Sequence, residues 1–341
     1  MSKTSIEWTE FSVNPIRYRN LETGKVGHYC EKVSAGCKNC YSSQMQKGPY
    51  LSGLEFVASN KGKGEHFFEP KVIEQIIARR KPTEYFWCDM TDLFGDWVPT
   101  AWIAKCFAAM ALTQQHTHIT LTKRPQRMCE LVNMSDFEAL VSGAVADLVA
   151  TTDALGSLNS WPPPNWVAGT SCENQPAADE RIPWLLQTQA ATRCLSLEPL
   201  LGPIDLEQYL WASGSDTSVY CDRNGHRRSG GAGGQTITST PLNAIHSVIC
   251  GGESGPNARP CSVNDIRSIV RQCSAAGTKC FVKQLGSNYV DAENAVGGYQ
   301  TRAPEEYTRG PIKNLKDRKG ADMSEWPSDL QVRELPWRIQ S

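Results

Sequence analysis

Short apolar runs of strand length alternate along the chain with longer segments of helical period. EYFWCDM (84–90), HITLTK (118–123), NWVAGTS (165–171), TRCLSLE (192–198), HSVICGG (246–252) and KCFVKQLG (279–286) each predict a buried strand. A first strand is expected near Glu7–Val13. A helix is expected over 99–113, where Pro99 suits a first turn. ADERIPWLLQTQA and VNDIRSIVRQCSAAG are amphipathic, and the second ends on Gly277, a helix-stop residue. Strands that alternate with helices form a parallel sheet with crossover helices. The strands are apolar at nearly every position, as a sheet covered on both faces requires. The predicted fold class is α/β, a full or partial (β/α) TIM-type barrel, with an open doubly wound sheet as the alternative.

Two segments break the alternation. Residues 211–243 are Gly/Ser-rich with a small basic cluster, His226, Arg227 and Arg228, and predict an insertion loop. Beyond about residue 288 the chain is polar. The expected organisation is therefore 1–288 as the α/β unit, with the 211–243 insertion, and 289–341 as an extension that wraps it or covers substrate. Segment 135–160 is expected to hold a helix and a loop.

The polar residues gather where strands end. Asp89, Thr91 and Asp92 follow EYFW, Lys123 and Arg124 follow HITL, and Ser171 and Glu173 follow WVAG. Glu198 follows CLSL, Glu253 follows VICGG, and Lys283 and Gln284 follow CFV. In barrels and open α/β sheets the carboxyl edge is where active sites form.

Composition narrows the class. Lys plus Arg is 35 and Asp plus Glu is 36, so any nucleic-acid contact must use a local patch. Most of the thirteen cysteines are scattered in apolar runs, which fits small buried hydrophobes in a reducing compartment. MSKTSIEWTEF has no apolar leader core, and no run reaches the ~18–20 residues of a membrane helix. A cytoplasmic protein with no membrane partner is expected.

Three cysteines stand apart. HYCEKVSAGCKNCY holds Cys30, Cys37 and Cys40 at the spacing C-x6-C-x2-C. A structural zinc site completes four ligands, and His28 would close a Cys3His set. A cubane iron–sulfur cluster with three thiolates keeps one iron open for a ligand. Both readings stand on spacing alone.

EWTEFSVNP, GCKNCY, DMTDLFGDWVP, LTKRPQRM, SCENQPAADERIP, SLEPLLGPIDL, GGESGPNARP, VKQLG and KGADMSEWPSDLQVRELP follow one another along most of the chain from 7 to 338. In this order they resemble a phage and prophage family of three-cysteine proteins similar to radical S-adenosylmethionine (SAM) enzymes, although those usually space their cysteines C-x3-C-x2-C. The resemblance implies an incomplete TIM-type barrel of the radical SAM kind, a [4Fe–4S] cluster on Cys30, Cys37 and Cys40, and SAM. It implies that Asp89, Thr91 and Asp92 meet the SAM amino group. Lys123 and Arg124 would meet its carboxylate, and Ser171 and Glu173 the ribose hydroxyls. Glu198, Glu253, Ser254, Arg259 and Lys283 would face substrate, with Glu198, Glu253 and Lys283 as catalytic candidates. The function implied is radical chemistry, an isomerisation for example, on an amino-acid-modified thymine of phage DNA. Such hypermodification helps phage DNA evade host restriction. A peptide or small-molecule substrate, or a zinc-stabilised nucleic-acid-binding protein, are the alternatives. A flavodoxin- or ferredoxin-type reductant is the expected protein partner. Modified phage DNA is the expected nucleic-acid partner, meeting the 226–228 cluster and a basic tail of Arg302, Arg309, Lys313, Lys316, Arg318 and Lys319.

Overall fold

The structure, a computed structural model, describes residues 2–152, 154–210, 219–221, 227–229, 244–291 and 315–338. The chain opens with β1 (Ser2–Lys3) and β2 (Phe11–Val13). A small lobe follows, in which β3 (Ile16–Asn20), β4 (Val26–Gly27) and β5 (Gly64–Phe68) form an antiparallel sheet that carries the short helix α1 (Tyr41–Met45). Then come α2 (Pro70–Ala78), β6 (Glu84–Trp87), α3 (Thr100–Leu112), β7 (Thr117–Thr122), α4 (Pro125–Val132) and α5 (Ser135–Thr151). Next are β8 (Trp166–Ser171), α6 (Gln175–Gln187), β9 (Thr192–Leu197) and α7 (Glu207–Leu210). A two-stranded pair, β10 (Val219–Cys221) and β11 (Arg227–Ser229), precedes β12 (Ser247–Gly251). The last elements are β13 (Cys261–Ser262), α8 (Val263–Ala276), β14 (Lys279–Gln284) and β15 (Tyr289–Val290).

The central sheet has eight strands in the order β1-β2-β6-β7-β8-β9-β12-β14. Every neighbouring pair from β2 onward is parallel, and β1 alone runs antiparallel at the edge. All six internal apolar runs of the sequence are strands of this sheet. The strand expected over Glu7–Val13 shrinks to Phe11–Val13, because residues 7–9 turn first, with Thr9 N donating to Ile6 O. The helix expected from 178 begins at Gln175, capped by the Asn174 side chain, which accepts from Ala177 N. Pro99 sits just before α3 rather than within its first turn, and Gly277 closes α8 at φ 68°.

Strand order follows chain order, and the helices share one face. Tyr85, Trp87, Trp166, Leu195, Val248 and Val282 point into a core that also takes the apolar sides of α2, α3, α4, α5, α6 and α8. The alternate positions Phe86, Ile119, Val167, Cys194, Ile249 and Phe281 face the other way, where Trp8 and Leu335 cover them. A doubly wound sheet would place helices on both faces.

The sheet is also curled. Residues 332–334 pair antiparallel with the outer edge of β14, through Val282 N to Val332 O and Glu334 N to Cys280 O. Four residues further on, after a turn, Arg338 pairs with Glu84 of β6 at 2.6 Å and donates to Glu7 O at 3.0 Å. In a flat sheet that tail segment would lie six strand spacings, roughly 29 Å, from β6. The ion pair requires curvature that brings the two together, so the second face is concave.

Candidate functional site

Parallel strands put their carboxyl ends on one edge. There a cavity of about 270 Å³ opens, lined by residues from the strand ends β6, β7, β8, β9, β12 and β14 and by the lobe between β3 and β5. Its apolar floor comes from Ile6, Trp8, Phe86 and Leu121 on the concave face. The cavity gathers thirteen of the fifteen site residues expected from the sequence, all but Glu173 and Arg259.

Cys30, Cys37 and Cys40 stand on one wall. Cys30 follows β4, Cys37 ends a single 3-10 turn (Ala35–Cys37), and Cys40 precedes α1. Cys30 and Cys40 back onto a small aromatic core of Tyr18, Tyr29, Leu54 and Phe56. Burial is the main cause raising the Cys30 and Cys40 thiols above their ordinary range, and for Cys30 the Asp92 charge adds to it. A neutral pair of thiols in this wall therefore gives up its protons when a cationic centre takes their place. Among the described residues no group of three or more His, Cys, Asp or Glu side chains stands ready for a single metal ion. His28, the fourth ligand of the zinc alternative, is buried outside the cavity lining, and its Nδ1 lies 3.1 Å from Ile16 O. Burial, with Arg17 nearby, lowers its pKa to about 3.

The polar ring divides into groups spent on the protein and groups left to a ligand. Asp92 is fully occupied: it accepts from Phe94 N, Thr122 Oγ1, Lys123 N and Arg124 Nη1 at 2.7–3.1 Å. A carboxylate offers about four acceptor sites, so none remains for an incoming amine. Arg124 is committed too, to Asp92, to Glu31 O and to the face of Trp97, with its guanidinium carbon 4.6 Å from the ring centroid. Thr91 donates to Tyr29 O at 2.6 Å, next to Cys30. Asp89 accepts from Asn14 at 2.6 Å and from Tyr41 at 3.2 Å, and burial raises its pKa against those bonds.

Glu173 and Glu253 hold the cysteine loop. Glu173 accepts from Gly36 N at 3.1 Å and pairs with Arg181 at 3.0 Å, both carboxylate and guanidinium being buried. Burial pushes its pKa up, but Ser34, Gly36 and Arg181 together hold it below the usual value. Gly36 is needed here, since a Cβ would sit 3.0 Å from that carboxyl group. Glu253 meets Arg259 through two guanidinium nitrogens and the backbone, and accepts from Asn39 at 2.9 Å. Arg259 in turn donates to Ala35 O at 2.7 Å. Glu253, expected to face substrate, is thus turned to the loop that carries Cys37 and Cys40.

What remains open is a short set. The Lys123 ammonium has no acidic or hydrogen-bonding partner among the described residues, and Ser171 also lines the cavity. Lys283 and Glu198, also in the lining, pair at 3.0 Å, partly exposed, with no other side-chain partner among the described residues. Asn39, the floor residues Ile6 and Trp8, and Gln284, which donates to Gly252 O at 2.7 Å, also line the cavity. Asn39, Ile6 and Trp8 escape sequence reading because none is a polar residue at a strand end. The 226–228 cluster lies partly, and Arg302, Arg309 and Lys313 lie wholly, outside the described residues.

The fold and site define a parallel α/β protein with a three-cysteine loop laid over the carboxyl edge of its sheet. The chain belongs to the family described as "Protein of unknown function (DUF5131)", whose model matches residues 3–325. No curated protein and no solved structure matches it.

Proposed function

We propose that this protein is a radical SAM enzyme. The observation that carries the reading is the meeting of three thiols and an unpaired lysine in one cavity at the carboxyl edge of a curled parallel sheet. The sequential strand order and the shared helix face support an incomplete (β/α) barrel as its frame.

The donor set fits a [4Fe–4S] cluster. Three sulfurs line the cavity, and of the carboxylates there, Glu31 is paired with Lys61 at 2.6 Å and Asp92 is filled by its four donors. Cys30, Cys37 and Cys40 would hold the cluster, which when reduced supplies the electron that cleaves SAM to a 5′-deoxyadenosyl radical. The chain's own part is binding and exclusion of water. Lys123 provides an ammonium for the SAM carboxylate, and Ser171 a hydroxyl beside it. Asp92, Arg124, Thr91, Glu173 and Glu253 keep the wall in place. Glu198 and Lys283 face the substrate. For the substrate itself, a modified base of phage DNA, the support is the sequence resemblance.

The test is chemical. Protein reconstituted without oxygen should carry about four irons and four sulfides per chain. With dithionite and SAM it should form 5′-deoxyadenosine. Cys37→Ala should abolish that product while leaving the melting temperature in place. Bound zinc without sulfide, or cleavage retained in the variant, would refute the reading.

A further inference from the structure

Residues 315–338 form a strap along the outer edge of β14 and beyond its carboxyl end. Beside the strand, Arg333 donates to Val282 O, Lys283 O and Ala321 O at 2.8–3.2 Å and lies over the rings of Phe281 and Trp326. Any sheet edge needs cover of this kind. Past Gln284 the strand has ended, yet the contacts continue. Leu285 N donates to Gly320 O at 2.9 Å, and Gly286 N to Lys319 O at 3.1 Å. A Cβ on Gly320, at φ 63°, would sit 3.1 Å from Gly286 O, and one on Gly286, at φ 95°, would sit 2.9 Å from Gly252 Cα. Ser287 N donates to Glu253 O at 2.9 Å. The Ser287 hydroxyl donates to Arg318 O at 2.7 Å and accepts from Gly255 N at 3.0 Å. One serine thus ties the strap to the loop that follows β12.

That loop is one of two tethers on the cysteines. Glu253 receives Asn39, and Arg259 donates to Ala35 O, while Glu173 holds Gly36 from elsewhere in the fold. Between the tethers the cysteine loop has a single 3-10 turn, Ala35–Cys37, which is too short to fix itself. We infer that the C-terminal strap is a positioning element for Cys37 and Cys40, and that Ser287 is the positioning residue through which it acts. Edge cover alone would leave Ser287 and the close approach of Gly252, Gly286 and Gly320 without a role, since all of them lie past the paired part of β14. From the strap to the thiols the path is a run of direct contacts: Arg318 O, Ser287, the 253–259 loop, then Ala35 and Asn39. Ligand side chains hold a metal or cluster well only when a supporting shell fixes them. The strap acts on the loop whichever group the thiols hold, so it goes beyond the radical SAM reading and its test needs no iron.

The probe is iodoacetamide on the metal-free full chain at one pH, with each cysteine followed by peptide mass spectrometry. Ser287→Ala removes both hydroxyl bonds, and alkylation of Cys37 and Cys40 should rise on the order of tenfold as the loop opens more often. Ser287→Thr keeps the hydroxyl and should keep the wild-type rates. Gly320→Ala presses on Gly286 from the strap side and should raise the same two rates. Buried Cys129 on α4 and Cys280 on β14 serve as internal references and should stay slow in every variant. Unchanged Cys37 and Cys40 rates in Ser287→Ala would overturn the proposal. So would a rise shared by Cys129 and Cys280, which would mean that the whole sheet had loosened. If Gly320→Ala does not fold, the Ser287 pair alone decides. Absence of iron and of 5′-deoxyadenosine in the reconstituted wild type would remove the enzyme reading and leave these rates as they are.

Discussion

Glu173→Gln isolates the buried clasp behind the cysteines. The wild-type carboxylate is 1% exposed as a side chain, pairs with Arg181 at 3.0 Å and receives Gly36 N at 3.1 Å. Removing one charge of a buried pair costs about 3–5 kcal/mol, chiefly because the other charge stays behind unpaired. The amide still accepts one bond, so the lower end, about 3 kcal/mol, is expected. At roughly 2.1 cal/mol/K per residue, a chain of this length has an unfolding entropy near 0.7 kcal/mol/K, and the melting temperature should drop by roughly 4 °C. The pH dependence has a definite sign. Glu173 has its pKa lowered from 4.5 in the folded chain. Its contribution is therefore fully present above the unfolded value and is lost as pH falls through the folded one. The gap between wild type and variant, followed by circular dichroism, should be full at neutral pH and close only as pH falls below the ordinary glutamate value of 4.5 and through the lowered folded one. Cys37 in the metal-free protein should also react faster with iodoacetamide, because Gly36 loses a charged anchor. A gap under about 1 °C at neutral pH, or one that widens on acidification, would refute the clasp.

Two further outcomes test the division between committed and open groups. Lys123→Met should weaken SAM binding by about ten- to a hundredfold, the worth of one charge-assisted bond, with iron content unchanged; equal affinity by calorimetry would remove Lys123 from the site. Gly252→Ala drives a Cβ against the Leu285 carbonyl and the Gly286 backbone. It should lower stability by about 2 kcal/mol, roughly 3 °C in a thermal melt, and an unchanged melt would mean the turn yields freely.

Local pattern in the sequence was enough for the alternation of strands and helices and for the carboxyl-edge placement of the polar residues. Each is set by neighbours two to four positions away: the apolar period of EYFW or HITL, and Gly277 at a positive φ. The cysteine spacing was equally legible, being contiguous in the chain. The small β3–β5 sheet was not. Its strands are short and half-buried, and they pair across a long excursion that holds the cysteines, so no periodic run announces them.

Tertiary structure alone decided which charged groups are spent and which are open. Asp92 and Lys123 look alike as strand-end charges, yet the first has four protein donors and the second ammonium has no partner among the described residues. The deciding contacts join residues far apart in the chain, Gly36 with Glu173 and Asn39 with Glu253, 137 and 214 positions away. No local period encodes such a pairing. Whether a carboxylate anchors a loop or meets a ligand depends on what the curled sheet brings within 3 Å of it, and that distance is a property of the whole fold.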